Sequence, residues 1–299
     1  MRSHLQQTNA AEISRALVHA RRMSGSPAMD LVLTFIVMTD EATVGDDLAT
    51  ANELAREHPC RVIGVVSGDG RSSARLDATI RVGEHSSSES LLLRLAGPLV
   101  RHGESVVLPL LLPDAPSVVW WPHDAPASPS TDPIGRLAKR RLTDAETTSA
   151  PVRALRRVGR RYAPGDTDLS WTRLTPWRAL LAAALDQCPG RVTSGTVVAG
   201  AGNPAAALLV AWLESRLGID IAVRRTAGAQ IVRVELTNAR GTILLERSDE
   251  RSVSFSVPGS APRTVPLGRR RMAELLAEDL RRLDADEVYA ETLTHLLGN

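Results

Sequence analysis

Apolar positions change their period several times along this chain of 299 residues, and the changes divide it into elements. Asn9 can cap a helix from Ala10, because Ile13, Ala16, Leu17 and Ala20 then recur at helical spacing. Ser24-Gly25-Ser26-Pro27 breaks it. Residues 29–38 are mostly apolar and rich in β-branched types, as in a strand buried on both faces. Residues 43–57 return to helical spacing through Val44, Leu48, Ala51 and Leu54, and His58-Pro59 stops them. Residues 61–66 read as a second buried strand. Strand, helix and strand with short joints make a βαβ unit, with parallel strands and a right-handed crossover. Residues 76–82 alternate, as a half-exposed strand does, and 89–95 are a further strand candidate. Residues 103–112 read as helix despite Pro109, and 118–121 as a short strand carrying Trp120 and Trp121.

Residues 122–133, rich in Pro, Ala, Ser and Asp, mark an edge. A basic zone follows: Lys139-Arg140-Arg141, then Arg153, Arg156, Arg157 and Arg160 on one helical face. From Asp166 the regular pattern resumes. Thr175 is a candidate N-cap with Pro176 at the first helical position, followed by a strand over 192–199. Asn203-Pro204 opens a helix that runs to Leu217 and stops at Gly218, and 219–225 are the next strand. Residues 230–238, 242–247 and 252–257 then alternate as an antiparallel meander, with a hairpin loop at 238–241. Helices over 269–283 and 286–297 close the chain, the first apolar on one side except at Asp279.

This order predicts an α/β protein, α+β overall, with two domains. The first, 1–130, holds a mixed sheet with the βαβ unit. Residues 131–165 are read as a basic connecting segment. The second domain, 166–299, holds a mixed sheet with the meander and the closing helices.

Composition narrows the function classes. A formal charge of +2 gives no whole-chain field for nucleic acid, and the basic patches lack interleaved aromatics. Lys139 is the only lysine, so the arginine count reflects a general preference and is discounted as functional evidence. The longest apolar runs are far too short to span a bilayer, and the first residues have no secretory pattern, so a soluble cytoplasmic protein is expected. Cys60 and Cys188 stand far apart with no zinc spacing around them, and no metal site is expected.

Two groups of residues could carry chemistry. Gly200-Ala201-Gly202-Asn203-Pro204-Ala205 follows a strand and opens a helix, as the loose dinucleotide fingerprint does. An acid is missing after the next strand, where Arg224 and Arg225 stand instead, a choice that suits a phosphate. The glycines equally fit a plain tight turn. The other group is Trp120, Trp121, Trp171 and Trp177, set around the basic zone in a chain with few aromatics. The Trp120-Trp121 pair fits a central strand with both indoles buried, or one buried indole and one facing a partner. No histidine frame, nucleophile elbow or P-loop appears, and no cofactor is expected.

The stretches AREHPCRVI (55–63), LDATIRVG (76–83), SVVLPLLLPDAPSVVWWP (105–122), DPIGRLAKRRLTDA (132–145) and DTDLSWTRLTPWRALLAAALDQ (166–187) resemble the actinobacterial OpcA family of glucose-6-phosphate dehydrogenase assembly proteins. The resemblance implies a two-domain, non-catalytic protein. It would promote assembly or activity of that NADP-linked dehydrogenase at the entry to the oxidative pentose phosphate pathway. Since Trp and Arg are the types best able to supply binding energy, the contact is expected on exposed members of the Trp-bearing segments and the basic zone, with Trp120, Trp121, Arg153, Arg156, Arg157, Arg160, Trp171, Arg173, Trp177 and Arg178 as candidates. The competing expectation is a sensor of a sugar phosphate or NADP(H), using Gly200, Gly202, Arg224 and Arg225.

Overall fold

The computed structural model describes residues 1–24, 31–83 and 89–298. The predicted break at Gly25-Ser26-Pro27, the predicted strand start at Met29, and His85 lie outside the described residues. In chain order the first elements are β1 (Arg2–Leu5), α1 (Ala10–Ser24), β2 (Leu33–Thr39), α2 (Val44–Leu54), β3 (Cys60–Ser67), β4 (Arg75–Val82) and β5 (Glu89–Ala96). Next come α3 (Gly103–Val107), β6 (Ser117–Trp121), β7 (Arg140–Thr143), α4 (Pro151–Gly159), β8 (Asp166–Asp168), α5 (Leu169–Arg173) and α6 (Thr175–Gln187). The remainder is β9 (Val192–Gly200), α7 (Pro204–Leu217), β10 (Ile221–Thr226), β11 (Ile231–Asn238), β12 (Gly241–Arg247), β13 (Ser252–Ser256), β14 (Arg263–Pro266), α8 (Met272–Leu280) and α9 (Glu287–Gly298).

Contacts divide the chain into two units that interleave in sequence. One contains residues 1–144, 163–167 and 272–285; the other contains 145–162, 168–271 and 286–299.

The first unit carries an eight-stranded sheet in the order β1-β4-β5-β3-β2-β6-β7-β8. β5, β3, β2, β6 and β7 run parallel to their neighbours in that series, while β1 and β4 are antiparallel. The predicted β2-α2-β3 unit is present as a parallel pair. α1 buries Ile13, Leu17 and Ala20 with Ile36, Ile63, Leu91 and Trp121 on one face of the sheet. α2 packs on β2 and β3 and meets α8. With both faces used, the central strands are buried end to end, which is why they read as unbroken apolar runs. Trp120 and Trp121 point to opposite faces and are both buried, at 1% and 4% exposure. The alternative in which one indole meets a partner is therefore corrected: sheet neighbours and helices already cover each ring. Trp120 stacks near Phe35, with ring centroids 6.1 Å apart.

Arg140 and Arg141 of the basic zone are taken into the fold of the first unit. Both lie buried on β7. Arg140 Nε donates to Asp279 Oδ1 at 2.5 Å and its Nη1 to the Asp284 carbonyl at 2.8 Å. Arg141 Nε donates to Asp166 Oδ1 at 2.5 Å, and its two terminal nitrogens reach the carbonyls of Ala138 and Pro164. Burial raises the Asp166 pKa in spite of that guanidinium. The carboxylates offset part of the desolvation penalty of burying an arginine. Asp279, the polar exception on α8, is explained by the same pair. Arg61 repeats the device: its Nε donates to Glu89 at 2.8 Å and its Nη1 to the Leu110 carbonyl.

The second unit carries a six-stranded sheet in the order β10-β9-β11-β12-β13-β14. β9 and β10 are parallel, joined through α7, and the rest is the predicted antiparallel meander extended by β14. Only one face is fully buried. Val197, Val234, Leu236, Ile243, Leu245, Val253 and Phe255 pack there with Trp177, Leu181, Leu208 and Leu209. The alternate positions, among them Thr196, Glu235, Thr242, Glu246 and Ser254, stay half-buried or exposed. Asn203 caps α7 as predicted, and Gly218 ends it with φ of 66°. Thr175, predicted as the cap of α6, is instead its first residue, with Leu174 in the cap position. The side-chain cap in that region is Asp168, which accepts from Ser170 N at the start of α5.

Candidate functional site

The turn from β9 into α7 is fixed by two glycines with separate causes. A Cβ on Gly200 would meet the Gly228 carbonyl oxygen at 1.9 Å, so only glycine allows the chain over 228–229 to pass. Gly202 has φ of +73°, a conformation that side chains disfavour, and faces open space. Asn203 locks the turn from both ends: its Oδ1 accepts from Ala206 N at 2.7 Å and its Nδ2 donates to the Ala229 carbonyl. The glycine pattern is thus accounted for by packing and backbone conformation. It also brings the positive end of α7 to the rim of a cleft.

That cleft, of about 370 Å³, lies between α7 and β10. Ala207, Val210 and Ala211 of α7, Val223 of β10 and Val152 of α4 give it an apolar lining. Val223 explains why the space is open. It pairs in register with Val197, which is fully buried, so both stand on the same sheet face. Val223 is nevertheless 57% exposed, because it belongs to the edge strand and α7 leaves its side chain uncovered.

Three charged side chains line the same space: Arg156 from α4, Arg225 from β10 and Glu214 from α7. Glu214 is engaged, since Oε1 accepts from Ile221 N at 3.2 Å and Oε2 lies 3.2 Å from His295 Nε2. Among the described residues, neither the Arg156 nor the Arg225 guanidinium has an ion pair or a hydrogen bond. The cleft therefore offers two uncommitted cations over an apolar floor. Such a surface suits a carboxylate or phosphate attached to an apolar or extended body.

Of the residues singled out in sequence, the fold gathers Gly200, Gly202, Arg225 and Arg156 around this cleft. Arg224 alternates to the opposite side of β10 and is exposed. Arg153, Arg157 and Arg160 are exposed on α4, outside the lining. Trp171 and Trp177 are buried, at 2% and 3% exposure, so neither presents an indole to a partner. Trp171 Nε1 donates to Asp286 Oδ2 at 2.8 Å, and Arg178 stacks on its ring with the guanidinium carbon 3.6 Å from the centroid. Burial pushes the Arg178 pKa down, and the nearby Asp286 opposes that shift. Arg173 is paired with Glu146 at 2.7 Å. These arginines hold the second unit together. Sequence reading missed Val223 and Glu214, and the alternation across β10 was the one local signal that could have pointed to the first.

Both cysteines are buried and free. Burial alone raises Cys60 to about 12. Among the described residues no three His, Cys, Asp or Glu side chains are grouped to hold a metal. No helix among them is long and apolar enough to cross a membrane.

Comparison with known proteins adds a family. Two models match in order along the chain: the N-terminal domain of a glucose-6-phosphate dehydrogenase subunit over residues 51–160, and the C-terminal domain over residues 164–293. The OxPP cycle protein OpcA of Nostoc punctiforme is 30% identical over 187 residues, which are 56% of this chain and 40% of that protein. The same protein of Synechococcus elongatus is 28% identical over 200 residues, 60% of this chain and 44% of that one. The chain thus spans less than half the length of these curated relatives, which are cyanobacterial. A solved oxidoreductase from Sinorhizobium meliloti aligns with a TM-score of 0.41 at 11% identity, over 88% of this chain and 86% of that one.

Proposed function

The chain belongs to the OpcA family of glucose-6-phosphate dehydrogenase subunits, and on that premise we propose that it is a non-catalytic, cytoplasmic assembly factor and activator of that dehydrogenase. The observation that carries the reading is the pair of domain matches, in order, over most of the chain. The physical mechanism is linkage. A protein that binds the active oligomeric form in preference to others shifts the equilibrium by its differential affinity. A tenfold preference corresponds to about 1.4 kcal/mol, so a modest interface suffices. Burial of the tryptophans supports placing the contact on the basic side chains of α4, of which Arg153, Arg157 and Arg160 are exposed and Arg156 is half-buried. Mixing the purified dehydrogenase with this protein, then measuring oligomer mass and kinetics, tests the reading. A heavier oligomer or a raised kcat/KM is expected; unchanged mass and unchanged kinetics at excess protein would sink it.

The cleft favours a second reading, in which the protein senses a sugar phosphate or NADP(H) through Arg225, Arg156 and the turn at Gly200 and Gly202. Thermal shift with NADPH, glucose 6-phosphate and 6-phosphogluconate separates the two. Stabilisation by one of these ligands without the dehydrogenase favours the sensor.

A further inference from the structure

Strand β10 is the edge of its sheet, paired on one side only, with β9. From Ala222 to Arg225 all four residues are exposed. Such an edge presents unpaired main-chain donors and acceptors. Their direction can be read from Ile221, whose N–H is taken by the Glu214 side chain rather than by β9. Main-chain groups alternate in direction along a strand, so those of Val223 and Arg225 also point away from β9. No backbone hydrogen bond reaches them from the outer side among the described residues. Alongside this open edge runs the apolar cleft, and at its rim stand the two unpaired arginines and the start of α7.

We propose that this edge and cleft form a strand-addition site, which takes an extended acidic segment of the partner dehydrogenase as a further strand beside β10. The proposal rests on the reading above that the chain docks on that enzyme. Main-chain pairing to Val223 and Arg225 supplies affinity, and alternate side chains entering the cleft supply selectivity. Val223 and the alanine-lined wall of α7 accept an apolar side chain. Arg156 and Arg225 accept a carboxylate. Charge decides against a second copy of this chain as the occupant. In an antiparallel pair of β10 strands centred on Arg224 or on Arg225, that arginine would lie directly opposite its own copy. The edge thus repels itself and attracts an acidic strand.

The test uses the full chain and the purified dehydrogenase, with affinity read by biolayer interferometry. Val223→Pro removes an outward N–H; proline is tolerated at such a position on an edge strand, so the fold should persist. Arg156→Glu with Arg225→Glu reverses the rim charge. Each variant is expected to bind at least tenfold more weakly, with an unchanged melting temperature. Should Val223→Pro fail to fold, Val223→Asp takes its place, putting like charge in the path of an acidic segment. If wild type binds and both variants match it, the strand-addition site is overturned while the assembly reading stands. Loss in only one variant overturns it too, because pairing and charge are both required. If wild type does not bind, the assembly reading falls and the site falls with it. A wild-type dimer in sedimentation that Val223→Pro dissolves would assign the edge to a second copy. Inorganic phosphate that raises the melting temperature of wild type but not of the charge variant, with dehydrogenase binding intact in both, would assign the cleft to a small anion.

Discussion

Arg140 and Arg156 stand in opposite circumstances. Arg140 is 3% exposed on a strand in the first unit, with Asp279 and a carbonyl taking its hydrogens. Arg156 lines the cleft of the second unit with no partner among the described residues. The first guanidinium is enclosed and fully used by the fold; the second is left over by it. The contrast extends to the sheets. The central strands of the first sheet are covered on both faces, whereas β10 keeps one edge and most of its side chains in solvent. Residues already committed to a carboxylate stabilise, and residues left uncommitted beside an open edge are available for binding.

The largest effect should come from breaking the enclosed pair. Arg140→Ala takes the guanidinium away from the buried Asp279 carboxylate and should cost about 3–5 kcal/mol in a urea unfolding curve. Replacing both, Arg140→Met with Asp279→Leu, should recover much of that loss, since an apolar pair of similar bulk is often neutral. A loss under 1 kcal/mol in the single variant would contradict the enclosed role.

Gly200→Ala comes next. Its Cβ would lie 1.9 Å from the Gly228 carbonyl oxygen, so the chain must shift and roughly 1–3 kcal/mol should be lost. Gly202→Ala meets no atom and should lose less, through its backbone conformation alone. Equal losses in the two would show that the 228–229 approach is not what fixes the turn.

At the uncommitted end of the contrast, Arg156→Glu with Arg225→Glu should move stability by no more than about 0.5 kcal/mol, as expected of a half-buried and an exposed side chain that take no part in a buried network. A large loss would mean that these arginines serve the fold after all.

The smallest change is expected at Cys60. With its pKa raised to about 12 by burial, the thiol should resist a disulfide reagent at pH 8 until the protein unfolds. The sign for stability follows from the same shift. Above its ordinary value of 9.0 the unfolded thiol ionises while the folded one stays protonated, so stability falls as pH rises past that value. Cys60→Ala should flatten that part of the pH profile. Prompt labelling of the native thiol would refute the burial.

Local signals carried much of the fold into the sequence. The β2-α2-β3 unit, the Asn203 cap and the Gly218 stop depend on neighbours a few residues away, and their patterns are plain. β7 was hidden, because what makes Arg140 a buried strand residue is a carboxylate 139 positions later. Gly200 could be read as a turn, but its need for glycine comes from the chain at 228–229. β1 and β14 are short edge strands whose composition carries no clear period. The four tryptophans drew notice through rarity, which cannot tell enclosed from exposed. The candidate site was legible only as fragments. Its glycines and arginines were visible, but the cleft exists because α7 leaves Val223 uncovered, and no local pattern records that.

The interleaving of the two units has a consequence for how the protein is made. Arg140, Lys139 and His58 find partners on Asp279, Asp284 and the Ala277 carbonyl, all within residues 272–285. A ribosome releases the chain in order, so the first unit waits, with a buried arginine still lacking its carboxylate, while all of 168–271 emerges. The part that begins first is therefore completed late, and a fragment ending at Asp144 would carry the vacancy permanently.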